Sequence, residues 1–250
     1  MAIELKSLEE LKTMRRAGLL VAQTLELVRN AIKPGMTTSA LDAVAAANIK
    51  RGGGISNFYG YHGYPATICV SVNEEIVHGI PSAKKTLRAG DIVSIDVGVE
   101  VDGYFGDSAI TVPVGEITPE LQKLLTVTEE SLGAAIEQVR VGNRVGDISA
   151  AVEQYVTRHG YSVVREFVGH GIGRKLHEDP KVPNYGPPGQ GPKLKEGMVL
   201  AIEPMVNMGH HASRVLKDQW TAVTEDGSHS AHFEHTVVVT KDGPWVLTRP

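Results

Sequence analysis

The chain has 250 residues, 42% hydrophobic and 22% charged, with a formal net charge of −4 at neutral pH. This is the composition of an ordinary globular protein, and it gives no basic footprint for nucleic acid. The single cysteine, Cys69, excludes an internal disulfide and any multi-cysteine zinc site, and it fits a reducing compartment. The N-terminal segment is charged throughout and has no signal-peptide core. No apolar run nears the roughly 18 residues of a membrane span, so a cytoplasmic protein with no membrane partner is expected.

Ser7-Leu8-Glu9-Glu10 reads as a capping box opening a helix. Its apolar positions Leu8, Leu11, Met14, Gly18, Ala22, Leu25, Val28 and Ile32 step by three or four along one face, and Pro34-Gly35 ends it. A second helix is expected over 38–51, with Leu41, Val44, Ala45 and Ile49 inward and Gly52 to Gly54 as its stop. Residues 66–72 read as a strand and 76–77 as a short one. Before them, Phe58, Tyr59, Tyr61 and Tyr64 crowd a glycine-rich turn in a protein that is only 5% aromatic. Such a loop either lines an apolar pocket or covers a core edge. His78, between a strand and Gly79, is a candidate site residue, although a lone histidine is more often structural.

Residues 90–111, GDIVSIDVGVEVDGYFGDSAIT, alternate like a half-buried strand, turn at Asp102-Gly103 and alternate back. Asp-Gly between two such runs is the strongest short-range hairpin signal. With those two residues as the loop, Val101 faces Tyr104 and Gly98 faces Asp107. Asp96 then lies diagonal to Asp107 on one face, with Cβ atoms roughly 7–8 Å apart. Two carboxylates among Ile92, Ile95, Val97 and Val99 suit a shared cation better than an exposed, solvated face.

Thr118-Pro119-Glu120 starts a third helix with Leu121, Leu124, Leu125, Leu132, Ala135, Ile136 and Val139 buried. Asp147 is expected to cap a fourth, running to about residue 159 and stopped by Gly160. Residues 161–168 read as a strand leading into a turn at Gly169-His170-Gly171, and residues 178–193 as a proline- and glycine-rich surface loop. Residues 198–206, 220–224 and 231–240 read as strands, with an excursion over 207–219.

The halves repeat. LRAGDIVSID (87–96) aligns with LKEGMVLAIE (194–203) at an offset of 107 residues (203 − 96 = 107), which also carries Gly35 to Gly142 and Gly53 to Gly160. Two related αβ halves about a pseudo-twofold axis follow. Glu203 answers Asp96. Glu234 interrupts another β-prone run, and His170 lies in its Gly-His-Gly segment. The candidates Asp96, Asp107, His170, Glu203 and Glu234 would gather four carboxylates, each raising its neighbours' pKa. Two divalent cations would remove that conflict. The oxygen-rich set with one imidazole suits Mn²⁺, Fe²⁺, Co²⁺ or Zn²⁺. No G-x-S-x-G elbow, Walker loop or H-E-x-x-H helix is present.

These residues, with the strings YHGYPATICVSVNEEIVHGIP, FVGHGIGRKLHEDP, AIEPM and FEHTVVVT, resemble the methionine aminopeptidases of the pita-bread metallopeptidases, in their short bacterial type I form. The likeness covers essentially the whole chain. It implies an α+β pita-bread fold: two pseudo-twofold-related αβ halves (roughly 7–112 and 117–240) forming one catalytic domain, 1–250, around a mostly antiparallel curved sheet flanked by helices. It implies removal of the initiator methionine from new proteins whose second residue is small, by attack of a hydroxide bridging two metals. Asp96 would bind one metal, Asp107 and Glu234 would bridge the pair, and His170 and Glu203 would complete the other shell. Glu203 would also shuttle the proton. His177 would contact the scissile peptide and His78 the substrate near its leaving side. Tyr61, Tyr64, Cys69 and Trp220 would form the methionine pocket, with His62 at its rim. Expected partners are N-terminal methionine peptides and nascent chains near the ribosome, met by a monomer.

Two positions depart from the family pattern. Leu176 stands where many relatives carry phenylalanine, and His232 where glutamine is common. His210, His211, His229 and His235 are expected to be structural or solvated, and Lys84, Lys85 and Arg88 to form a solvated turn. The rival of the same fold, an Xaa-Pro peptidase, would carry an extra N-terminal domain for which the segment before Ile32 leaves no room. A non-catalytic binding protein would show decayed ligands. A two-metal phosphoesterase would want a basic phosphate clamp.

Overall fold

The computed structural model describes residues 3–250. Ser7 caps helix α1 (Leu8–Ala31): its Oγ accepts from Glu10 N, while Ser7 N donates to Glu10 Oε2 at 2.8 Å. The buried stripe of α1 runs Leu11, Met14, Ala17, Val21, Leu25, Val28. Leu8, expected inward, is exposed. Helix α2 (Thr38–Arg51) and helix α3 (Pro119–Ile136) start on threonine caps. Helix α4 (Val145–Arg158) begins earlier than expected. Asp147 is its third residue and not its cap, and its carboxylate reaches back to accept from Arg144 N at 2.7 Å.

The strands of the first half are β1 (Ile55–Ser56), β2 (Cys69–Val72), β3 (Glu75–Val77), β4 (Ile92–Val101) and β5 (Tyr104–Pro113). β4 and β5 form an unbroken ten-residue antiparallel hairpin, with Val101 opposite Tyr104 and Gly98 opposite Asp107. The other edge of β4 carries β1 and β2. β2 is shorter than expected, because the Thr67 and Ile68 amides donate to Asp42 Oδ1 (2.8 and 3.0 Å) and not to a ladder. Helix α1 rests on β5 where two backbones nearly touch: a Cβ on Gly106 would lie 2.8 Å from Gly18 N.

The second half holds β6 (Ser162–Val163), β7 (Gly169–Gly171), β8 (Glu178–Val182), β9 (Val199–Ile202), β10 (Met205–Asn207), β11 (Ser213–Val215), β12 (Ala222–Thr224), β13 (Ser230–His232), β14 (His235–Thr240) and β15 (Gly243–Val246). One five-stranded sheet runs β15-β14-β9-β7-β8; β10 lies between β13 and β6, and β12 joins β11 to β3. All described pairings are antiparallel.

Four expectations change here. Gly169-His170-Gly171 is a strand and not a turn. It is hemmed in by backbone on both sides: a Cβ on Gly169 would meet Ala201 O at 2.4 Å, and one on Gly171 would meet Asp179 O at 2.3 Å. Residues 178–182 are an edge strand beside it and not surface loop. The single strands expected over 198–206 and 231–240 are each broken, at Glu203-Pro204 and at Phe233-Glu234. Lys85 closes an ion pair onto buried Glu75 and is not simply a solvated turn residue.

The offset of 107 residues carries α2 onto α4 (145 − 38 = 107) and β1 onto β6 (162 − 55 = 107), end for end. One apolar core lies under α1 and α2, another under α3 and α4. A third, with Tyr64, Cys69 and Leu176 among its members, packs between the halves beside the carboxylates.

Candidate metal centre and substrate pocket

The halves are joined where their hairpins meet. Glu234 N donates to Ala109 O at 2.9 Å, and Asp107 N donates to Thr236 Oγ1 at 3.1 Å. Thr236 Oγ1 in turn donates to Asp107 O at 2.7 Å. These bonds bring Asp107 of β5 beside Glu234. Oxygens of Asp107 and Glu234 and a ring nitrogen of His170 lie within 4.8 Å of one another, and all three residues are buried. His170 Nδ1 lies 2.9 Å from Gly171 O. As a donor to that carbonyl it leaves Nε2 with a lone pair, the arrangement a metal ligand needs. His170 Nε2 lies 3.7 Å from Glu203 Oε1. Asp96 neighbours Asp107 on the same face, as the register requires.

The electrostatics of this cluster are unresolved by protein groups. Among the described residues, no lysine or arginine lies within 4 Å of Asp96, Asp107, Glu203 or Glu234. Asp96 Oδ1, Asp107 Oδ1 and Glu234 Oε1 are buried and have no hydrogen-bond partner. Burial raises all four carboxyl groups, Asp96 to about 7, and the neighbouring carboxylates raise the others further. Burial lowers His170 to about 3, which keeps its ring neutral. Unpartnered oxygens, crowded negative charge and a neutral imidazole fit divalent cations held by oxygen and nitrogen.

A cavity opens on this cluster. Cys69 pairs with Asp96 across β2 and β4, so the apolar end of the cavity begins one cross-strand step from the carboxylates. Tyr64 and Trp220 meet edge to face at 5.0 Å, and Tyr64 Oη donates to Gly79 O at 2.9 Å, which anchors its ring. Tyr61, His78, His177, Phe58 and Leu176 complete the wall. Tyr61 Oη lies 2.8 Å from His177 Nδ1. His78 has φ 60°, a left-handed conformation that costs a non-glycine residue about 1 kcal/mol or more and aims its ring at the cavity. Burial, and His177 nearby, lower His78 to about 4.

Eleven of the twelve residues singled out from the sequence line this one cavity; His62 does not. It packs edge-on against Tyr61 at 4.4 Å and is exposed. Phe167 packs against His78 at 5.4 Å; its place three residues before His170 is the signal the sequence offers for it.

The sequence profile of metallopeptidase family M24 matches residues 12–241. Methionine aminopeptidase 1 of Bacillus subtilis (strain 168) is 53% identical over 244 residues, covering 98% of each chain. The chain belongs to metallopeptidase family M24, in its methionine aminopeptidase branch. The methionine aminopeptidase of Thermotoga maritima superposes with a TM-score of 0.98 at 46% identity, covering 100% of both chains. The Xaa-Pro dipeptidase of Bacillus anthracis shares the fold at 22% identity and a TM-score of 0.79, but the chain spans only 62% of it. The pita-bread architecture is thus common to both branches, and whole-chain identity places this metallopeptidase with the aminopeptidases. No helix among the described residues is long and apolar enough to cross a membrane.

Proposed function

We propose that the chain removes N-terminal methionine from peptides whose second residue is small, including the initiator methionine of nascent chains, as a single catalytic domain. The observation that carries this reading is the adjacency of an aromatic, cysteine-floored slot to the buried carboxylates, one cross-strand step apart. A thioether suits such a slot. Asp96, Asp107, His170, Glu203 and Glu234 would hold two divalent ions, Co²⁺, Mn²⁺, Fe²⁺ or Zn²⁺. When bound, such ions make water nucleophilic near neutral pH and polarise a carbonyl.

The chain's own groups do the rest. Tyr64, Cys69 and Trp220 take the methionine side chain, and the rim with Tyr61 and His62 fixes its entry. With the Tyr61 hydroxyl donating to His177 Nδ1, the His177 proton sits on Nε2 and can be offered to the carbonyl of the scissile bond. His78 borders the leaving side. As the oxygen of the attacking water bonds to the scissile carbonyl carbon, Glu203 would receive a proton from that water and deliver it to the departing nitrogen. The C–N bond breaks, leaving free methionine and a shortened chain. We place the reaction in the cytoplasm, near the ribosome, and carried out by a monomer.

Metal-stripped protein is expected to be inactive, and Co²⁺ or Mn²⁺ to restore hydrolysis of Met-Ala-Xaa peptides. Turnover of Xaa-Pro peptides with none of Met-Ala-Xaa would overturn the reading. His177→Ala should retain bound metal yet lose about 10²–10⁴ in rate; loss of metal in that variant would instead make His177 a ligand.

A further inference from the structure

The second half repeats the ladder of the first but not its side chains. In the first half Asp96 pairs with Ala109, and Asp107 stands two residues before Ala109 on the same face. In the second half Ile202 pairs with His235 and Met205 with His232. One register therefore runs across the break, setting Glu203 opposite Glu234. The residue two before Glu234 is His232, which occupies the place Asp107 holds in the first half.

His232 is 1% exposed, and its Nε2 has no hydrogen-bond partner. That nitrogen lies 3.8 Å from Glu203 Oε2, while His170 Nε2 lies 3.7 Å from Glu203 Oε1. Glu203 thus stands between two imidazoles, one facing each oxygen. The two rings differ in company. His170 groups with Asp107 and Glu234 as a set able to grip one ion, and its Nδ1 is spent on Gly171 O. His232 is outside that set; its Nε2 faces the far oxygen of Glu203, with the His78 ring also nearby.

We propose that His232 is a positioning residue: its Nε2–H donates to Glu203 Oε2 in the loaded site, leaving Oε1 for the ion that His170 faces. The proposal rests on the metalloaminopeptidase reading above. A carboxylate held at one oxygen presents the other in a fixed plane, and outer partners of this kind tune metal affinity. A carboxamide has an N–H of similar reach, so His232→Gln keeps the donor. His232→Leu and His232→Met fill the space without one.

The test is calorimetric titration of metal-free wild type and the three variants with Mn²⁺, with kcat and KM measured on a Met-Ala-Xaa peptide. Wild type should show two binding steps. His232→Gln should stay within about threefold in each step and in kcat. His232→Leu should weaken one step by about 10–100-fold and lower kcat at saturating Mn²⁺ by about tenfold, with KM little changed. His232→Met replaces it if the leucine variant does not fold. Unchanged affinities and kcat in the apolar variants would overturn the proposal, as would a glutamine variant as impaired as they are. A wild-type chain that binds no Mn²⁺ would overturn the metallopeptidase reading itself, a result distinct from either.

Discussion

The hairpin β4–β5 and its counterpart in the second half carry carboxylates into the same cluster by different means. The first is a continuous ten-residue ladder, and its aspartates simply occupy inward positions. The second is interrupted at the carboxylates themselves, Glu203 before Pro204 and Glu234 after Phe233. The reason lies in the proline. Across the break Phe233 N still donates to Pro204 O at 3.3 Å, but proline has no N–H to return to Phe233 O. A strand pair with one bond missing can bend and re-aim the side chain beside it. The short aspartates reach the cluster from a regular strand, while the longer glutamates enter where the ladder opens. A repeated sequence thus yields two halves that are related in path and unlike in detail.

The comparison breaks most completely at Asp107, which stands on the regular side yet touches the other half. Asp107→Asn should cost more than about a hundredfold in metal-dependent activity, beyond the upper end of losing an outer-shell partner. The same change should raise the melting temperature of the metal-free protein, because it removes one crowded carboxylate from a cluster with no counter-charge. Activity and stability moving in the same direction would show that Asp107 is only a structural acid.

Restoring the missing bond sharpens the contrast. Pro204→Ala supplies the N–H and lets the second ladder close, at a gain of up to about 1 kcal/mol in stability. It should also swing Glu203 and lower kcat by about tenfold, since catalytic groups tolerate little displacement. Denaturant melts and steady-state rates on one preparation decide this; an unchanged kcat means that the break has no part in aiming Glu203.

The smallest effect is read by pH on metal-free protein. The cluster carboxyls have folded pKa values raised above their unfolded ones, Asp96 from 3.8 to about 7. The folded state therefore binds more protons than the unfolded one above pH 3.8, and this contribution to stability is lost as pH rises through the folded values. Buried His170 and His232 have folded values lowered from 6.5 to about 3, so they stabilise in the opposite sense, more as pH rises from about 3 to 6.5. Above 6.5 only the carboxyl effect remains. The melting temperature should then fall as pH passes about 7, and added Mn²⁺ should abolish the fall. A flat profile in the metal-free protein would mean that the carboxyls are paired by some other charge.

Much of this was legible in the sequence for local reasons. The capping box of α1, the Asp-Gly hairpin and its register, and the 107-residue repeat all follow from side-chain period, turn chemistry and helix caps, which act within a few residues. The cavity-lining set could be named because its residues sit in recognisable strings. Pro204 interrupts the ladder inside an apolar run, so side-chain period alone does not show the break. What the sequence could not decide was set by backbone meeting backbone at long range. Gly169 and Gly171 look like a turn until Ala201 and Asp179 are seen to crowd them into a strand. Glu203 and Glu234 look like interruptions of two separate strands until the register sets them opposite each other. Local chemistry fixed which side chains were available to the site; the packing of one half on the other decided which of them face each other, because only tertiary contact can bring Asp107 to Thr236 and His232 to Glu203.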